Sequence, residues 1–259
     1  MKDLIIKNIE NTVIFYETAL NKGKIWREPV VRIVSAIDDR FESLKKIVTE
    51  DHLLPQDVLS GAESIISFFL PFSEDIISSN IKGKYASSEW AQAYIDTNNL
   101  ISIINNSIEK LLDGYGYKTG KIPATHNFDT EKLISRWSHR HIAYIAGTGT
   151  FGINNMIITD KGCCGRLGSI VTTVRVSGAA GNKITAEKCL YKINGSCGIC
   201  RKKCPAGAYQ DDFFNRFKCN DMCQENAELH KRDGFADVCG KCLAGLPCSS
   251  KDPSIATDL

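Results

Sequence analysis

The sequence predicts a mixed α/β (α+β) scaffold followed by a short metal-stabilised module, and three observations lead there. Helix-period and strand-period segments alternate through the first 160 or so residues with no internal repeat, which argues against a solenoid or a bundle. The eleven cysteines are segregated: residues 1–162 contain none, Cys163 and Cys164 sit together, and nine fall in the last 71 residues. The small-residue stretch VSGAAGNK separates the two textures. It puts a boundary near residue 182, with one domain over 1–182 and a second over 183–259.

Element by element, residues 3–20 carry Leu4, Ile5, Ile9, Val13, Ile14 and Leu20 among polar positions, as a helix would. Val30, Val31, Ile33 and Val34 after Pro29 predict a strand, and Asp38 can cap a helix from Asp39 to Thr49. Ile65 to Phe69 is a short apolar run stopped by Pro71, the pattern of a buried strand. Ile101, Ile104, Ile108, Leu111 and Leu112 recur at three-to-four spacing up to Gly114 and predict one long amphipathic helix over 88–113. Asp129 or Thr130 can cap a further helix reaching about Ala146. Met156 to Thr159 and Ser169 to Val176 predict two strands around the loop DKGCCGRLG.

Composition excludes several classes. The chain has 32 basic against 30 acidic residues and a net charge of +2, which gives no electrostatic ground for nucleic-acid affinity. No window approaches eighteen uninterrupted apolar residues, and MKDLIIKNIENTVIFYE lacks a signal-peptide core, so neither membrane insertion nor secretion is expected. The odd cysteine total and the long cysteine-free stretch then point to a reducing, cytoplasmic setting and to thiols that bind metal. The cysteine-rich segment is too short to bury much core, so bound metal is expected to stabilise it.

The cysteine spacing narrows the metal. Cys197-Gly-Ile-Cys200 and Cys239-Gly-Lys-Cys242 are both CxxC, in which two thiolates point to one side of a tight turn; zinc and iron–sulfur clusters both accept this. Cys197, Cys200, Cys204 and Pro205 form CxxCxxxCP, the end of the bacterial ferredoxin run, whose last cysteine serves the other cluster when two are present. Cys189 replaces the run's first cysteine, whose place falls on Asn194. Two cubane clusters need eight thiolates, and the tail supplies nine. With the crossing rule, one cluster takes Cys189, Cys197, Cys200 and Cys248. The other takes Cys239, Cys242, Cys204 and either Cys219 or Cys223. Two Cys₄ zinc sites also satisfy the count, but zinc does not need the CP run. Cys163 and Cys164 read either as buried thiols in a turn or as a redox or cofactor-contacting pair.

Gly147-Thr-Gly149-Thr-Phe-Gly152 matches GxGxxG, but a dinucleotide fingerprint needs a strand before it, a helix after it and an acidic residue about twenty positions on. None of these is present. Three glycines in six residues can still bring backbone N–H groups close to an amide- or phosphate-bearing cofactor.

The segment from Trp137 through His139, Arg140, His141, Tyr144, Gly147, Gly149 and Gly152 to Asn155, followed by the CxxCxxxCP module, resembles the epoxyqueuosine reductase family, relatives of the corrinoid-dependent reductive dehalogenases. Trp26-Arg27-Glu28-Pro29 and Leu70-Pro71-Phe72 extend the resemblance. It implies a nitroreductase-like corrinoid-binding domain followed by a ferredoxin-like domain with two [4Fe-4S] clusters, a low-potential electron donor, and a cobalamin contacted by His139, His141, Gly147, Gly149, Gly152 and Asn155. In that family an aspartate beyond a Tyr-Ala segment donates a proton. Tyr85-Ala86 matches the segment and Asp96 is the nearest counterpart, although Thr97 and Asn98 replace the aspartate's usual companions. Family spacing, with a basic residue before the ligand, favours Cys219 after Lys218. The chain ends eleven residues after Cys248, where full-length members continue into a helical-repeat region that helps hold tRNA, so a tRNA substrate is doubtful. The expectation is an oxidoreductase acting on a small or unidentified substrate; the alternatives are a ferredoxin-like electron carrier that binds no corrinoid and a zinc-dependent interaction module.

Overall fold

The structure, a computed structural model, describes residues 1–124, 126–177, 186–210 and 213–255; the boundary expected near residue 182 falls outside them. Contacts gather the chain into two units. The first comprises Met1–Leu70, Asn98–Thr148 and Leu167–Thr185, the second Pro71–Thr97, Gly149–Arg166 and Ala186–Leu259. The cysteine module is thus grouped with two earlier segments of the chain.

In the first unit, helix α1 (Lys2–Leu20) buries Ile5, Ile9 and Val13, one residue per turn, and leaves Ile14 exposed. It stops where Asn21 takes a left-handed conformation (φ 51°), and the Glu17 carboxylate accepts the N–H groups of Ile25 and Trp26 on the returning chain. Strand β1 (Val30–Ser35) leads to α2 (Arg40–Ile47), α3 (Pro55–Val58) and strand β2 (Ser64–Pro71). β2 is buried at every position, Ser64 and Ser67 included, and pairs antiparallel with β1 from Val30 opposite Phe69 to Ser35 opposite Ser64. The four-stranded sheet is completed by β8 (Gly165–Thr172) beside β2 and by the short β3 (Thr119–Lys121) beyond it. A core of Val34, Phe41, Leu44, Ile65, Trp137 and Ile142 packs on this sheet. Between β2 and β3 come α4 (Glu74–Ser79) and the long α5 (Ser88–Asp113). The α5 stripe Ile101, Ile104, Ile108 and Leu112 is almost wholly buried.

One expected helix is largely absent. Residues 129–138 form a hairpin of β4 (Phe128–Asp129) and β5 (Ile134–Ser135), and α6 spans only His139–Ile145. The Asp129 carboxylate explains this: it accepts the N–H groups of Glu131 and Lys132 at 2.9 and 2.7 Å, closing a turn, and Leu133 has φ 52°, which no helix continues. The last predicted strand also shifts. β8 begins at Gly165 and ends at Thr172, although Val174 and Val176 beyond it are buried.

The second unit holds α4, the start of α5, the two-residue hairpin strands β6 (Thr150–Phe151) and β7 (Ile157–Ile158), then α7 (Leu190–Asn194), α8 (Ile199–Lys202), β9 (Tyr209–Gln210), β10 (Phe213–Phe214) and α9 (Arg216–Leu229). Apart from α9 its regular elements are short. A small buried cluster of Ala91, Tyr94 and Ala236 packs within it, together with polar latches.

Candidate functional site

A small, partly open cavity in the second unit is lined by Cys189, Cys197, Cys200 and Cys248, with Leu190 and Leu246 among its apolar walls. These four thiols come from three stretches of chain, and each is placed by local structure. Glu187 accepts the N–H groups of Lys188 and Cys189 and a bond from the Thr150 hydroxyl, which fixes the entry to α7. Lys188, held between Asp160 and the buried Asp252, ties the same entry to the end of the chain. Cys197 precedes α8 and Cys200 lies within it, so the CxxC turn presents both. Cys248 follows Pro247, and both line the cavity. Burial pushes the Cys200 thiol up to about 11, with the surrounding thiols Cys248, Cys189 and Cys197 adding to the effect. A metal that binds there must displace the proton of the Cys200 thiol.

A second group forms around the other CxxC. Burial raises Cys242, and the thiols that add most to its shift are Cys219, Cys239 and Cys204; burial likewise pushes Cys239 up to about 11. Cys219 and Cys223 lie one turn apart on α9, which Asn215 caps by accepting the N–H groups of Phe217 and Lys218. Cys219 is the one that bears on Cys242, whereas the foremost influence on Cys223 is its hydrogen bond to Cys219. The Cys204 sulfur also accepts the N–H of Ala208 at 3.5 Å.

The segment 71–97 clasps this second group. The Asn80 side-chain amide donates to the Cys239 carbonyl (2.9 Å), and buried Lys241 donates to the carbonyls of Asn80 and Lys82 at 3.1 and 2.6 Å. Asn226 and His230 of α9 hold the N–H and the carbonyl of Ala86. Trp90 lies so close to Gly240 that a Cβ there would sit 2.3 Å from the indole ring, and Gly240 also has φ +70°, so no other residue fits between Cys239 and Lys241. The Trp90 indole N–H is buried and has no hydrogen-bond partner among the described residues. An orphaned donor beside a cysteine turn fits a group that carries sulfide acceptors.

Among the described residues no three His, Cys, Asp or Glu side chains converge as a single metal ion would require. The first four thiols line the cavity. Two residues that the sequence did not mark connect the groups: Asn154 lines the cavity and donates to the Cys242 carbonyl (3.1 Å), and the Tyr209 hydroxyl donates to the Asn154 carbonyl (3.1 Å) while standing beside Cys242 and Cys200. Nothing in their local sequence distinguishes them from ordinary polar residues.

No protein-family model matches the sequence, and no curated protein matches it. Solved structures do. The chain is similar to an epoxyqueuosine reductase from Bacillus subtilis whose catalytic aspartate loop is swung out of its active site (TM-score 0.52, 17% identity, covering 95% of this chain and 67% of that one). The fold is that of the epoxyqueuosine reductases. An epoxyqueuosine reductase bound to a modified tRNA-Tyr stem loop is comparable (TM-score 0.51, 18% identity, 97% and 71%). A catabolic reductive dehalogenase in complex with 3-bromo-4-hydroxybenzoic acid gives TM-score 0.57 at 14% identity, covering 87% of this chain but 30% of that one. The chain therefore spans about two thirds of the reductases and less than a third of the dehalogenase.

The remaining residues singled out from the sequence lie in different settings. His139 is buried in the first unit with both ring nitrogens engaged: the Pro123 carbonyl can only accept, so Nε2 carries the proton, and Nδ1 accepts from the Ser169 hydroxyl, which in turn accepts the Trp137 indole N–H. His141 bonds through Nδ1 to the Ser138 hydroxyl, and burial, Arg140 and His52 lower its pKa to about 4. Part of the glycine loop bonds to neighbouring backbone. Gly147 N–H donates to Tyr144, Gly152 N–H to Met156 and Asn155 N–H to Gly152, while a Cβ on Gly149 would lie 2.2 Å from the Ile158 carbonyl oxygen. These glycines serve the helix end and the β6–β7 hairpin. Asp96 lies on α5, is 4% exposed and accepts from the Gln92 amide at 3.0 Å, so it is not the solvated carboxylate an amphipathic helix would suggest.

Proposed function

We propose that this chain is an iron–sulfur oxidoreductase that holds two [4Fe-4S] clusters, one on Cys189, Cys197, Cys200 and Cys248 and the other on Cys204, Cys219, Cys239 and Cys242. The observation that carries the reading is the cavity ringed by Cys189, Cys197, Cys200 and Cys248. Those are the four cysteines that the ferredoxin crossing rule groups together, drawn from across 60 residues of sequence. When bound, such clusters supply one-electron transfer at potentials set by burial and by hydrogen bonds to sulfur. The protein's part is to keep water from the thiolates through Leu190, Leu246 and Trp90, to hold the second CxxC through Asn80 and Lys241, and to join the two groups through Asn154 and Tyr209.

The resemblance to the epoxyqueuosine reductases supports a reductase whose electrons come from a low-potential donor and pass to a cobalamin-type acceptor. In the loop nominated for that acceptor the Gly147, Gly152 and Asn155 N–H groups have carbonyl partners and both His139 nitrogens are taken, which weighs against the assignment. This observation favours a second reading, an electron carrier that hands electrons to another protein or to a small molecule. In the reductase reading Asp96 is the proposed proton donor, buried and bonded to the Gln92 amide. A tRNA substrate is not proposed. None of the described helices is long and apolar enough to cross a membrane; a cytoplasmic location rests on the thiol usage.

The test is anaerobic purification with iron, sulfide, zinc and cobalt assays, followed by titration with cobalamin. Iron and sulfide with a base-off cobalamin spectrum support the reductase reading. Full iron without cobalamin binding supports the carrier, and stoichiometric zinc without iron removes both.

A further inference from the structure

The two proposed clusters use eight of the eleven cysteines, and one of the other three is aimed at a ligand. Cys163 is fully buried, and its sulfur lies 3.9 Å from the Cys248 sulfur. Cys248 lines the four-thiol cavity, whereas Cys163 does not. The position is fixed by backbone: the Cys163 N–H donates to the carbonyls of Cys248 and Ser249 at 2.9 and 3.2 Å, and the Cys164 N–H donates to Ser249 at 3.0 Å. The neighbouring thiol has its own partner, since Cys164 donates to the Leu243 carbonyl at 3.2 Å.

We infer that Cys163 is a positioning residue for the first cluster, donating an S–H···S hydrogen bond to the ligand sulfur of Cys248 from behind the cavity wall. The inference rests on the two-cluster reading. A ligating sulfur is a thiolate, because metal binding requires the deprotonated form. The one proton available to the pair therefore resides on the sulfur that does not ligate. Cys164 is a competing acceptor for it, but a neutral thiol accepts more weakly than a thiolate. Reduction adds negative charge to the cluster and its ligands, and a donor to a ligand sulfur stabilises the reduced form more than the oxidised one. Hydrogen bonds to sulfur are among the terms that set such potentials. Cys163 should therefore raise the reduction potential of one cluster and leave the other alone.

The experiment is an anaerobic redox titration followed by EPR on wild-type protein, Cys163→Ala and Cys163→Ser, with iron counted in each. The signal of the first cluster is identified as the one lost in Cys200→Ala and kept in Cys204→Ala. Both Cys163 variants are expected to keep full iron. In Cys163→Ala the first cluster shifts to lower potential and the second does not move. In Cys163→Ser the hydroxyl donor returns part of the shift. Unchanged potentials in Cys163→Ala with full iron would show that Cys163 only fills space, and iron loss in both variants would make it a ligand; either result overturns the inference while leaving two clusters in the wild type. Wild-type protein without iron overturns the two-cluster reading and this inference with it.

Discussion

Cys219 and Cys223 pose the sharpest question that single residues can answer. Both thiols stand near the second CxxC: Cys219 bears on Cys242 and Cys239, and Cys223 on Cys239. Cys219→Ser is expected to lose about four of eight irons, one cubane, whereas Cys223→Ser keeps them all; iron analysis with EPR decides, and the opposite pattern exchanges the two roles. Residues four apart on a helix share a face, so helix geometry leaves the pair open, and the choice of Cys219 rests on family spacing and the basic residue before it. His141 gives a pH prediction in the first unit. Its folded pKa of about 4 lies below the ordinary 6.5, so the unfolded chain binds the proton first as pH falls. The stabilisation is therefore complete above about pH 7 and is lost between about 6.5 and 4. Because His141 is partly solvated, the loss is discounted to about 1–2 kcal/mol. Anaerobic urea midpoints measured across that range should fall in the wild type and fall less in His141→Gln. The histidines were visible in the sequence as a pair; that His139 would be saturated by Pro123 and Ser169 was not, because those partners lie 16 and 30 residues away.

At the scale of elements, the glycine loop changes meaning once its hairpin is seen. A GxGxxG pattern carries no information about whether its N–H groups face a ligand or each other, and here β6 and β7 bring the Ile158 carbonyl against Gly149. Gly149→Val should accordingly destabilise the protein itself by about 3 kcal/mol through overpacking. The measurement is thermal unfolding of the purified variant; normal stability would return the loop to the role of a ligand cradle. The Trp90–Gly240 contact makes a parallel case in the second unit. Truncating so large a buried ring costs about 3–5 kcal/mol, so Trp90→Ala is expected to unfold the clasp and release iron from the second group first, read as loss of the EPR signal that Cys204→Ala also loses. Equal loss from both groups would show that the clasp is not specific. Periodicity exposed α1, β1, β2 and α5, each long or strongly patterned. It failed over residues 129–138, where the Asp129 side chain competes with the helix for backbone donors, and it passed over α3, α4 and β3, which are too short to show a period.

For the molecule as a whole, the cysteine spacing was the most legible feature, because ligand chemistry restricts spacing more tightly than packing restricts composition. The four cysteines that the crossing rule puts together, Cys189, Cys197, Cys200 and Cys248, line one cavity. What the spacing could not show is that segments 71–97 and 149–166 belong with the cysteine unit, since their links run through single side chains such as Asn80, Lys241 and Asn154 acting across 88 to 161 residues. That grouping places Asp96 in the same unit as the thiols. Asp96→Asn should keep the iron and slow any proton-coupled reduction by about 10²–10⁴-fold, the usual worth of a positioned acid, as followed by single-turnover kinetics. A normal rate would return Asp96 to a structural role.

The central claim is that the second unit is built around two iron–sulfur clusters, and iron and acid-labile sulfide content of anaerobically purified protein, taken with the EPR spectrum after dithionite reduction, tests it most directly. The account predicts about eight irons and eight sulfides per chain, with two distinguishable reduced-cluster signals. Stoichiometric zinc with no iron or sulfide would contradict it.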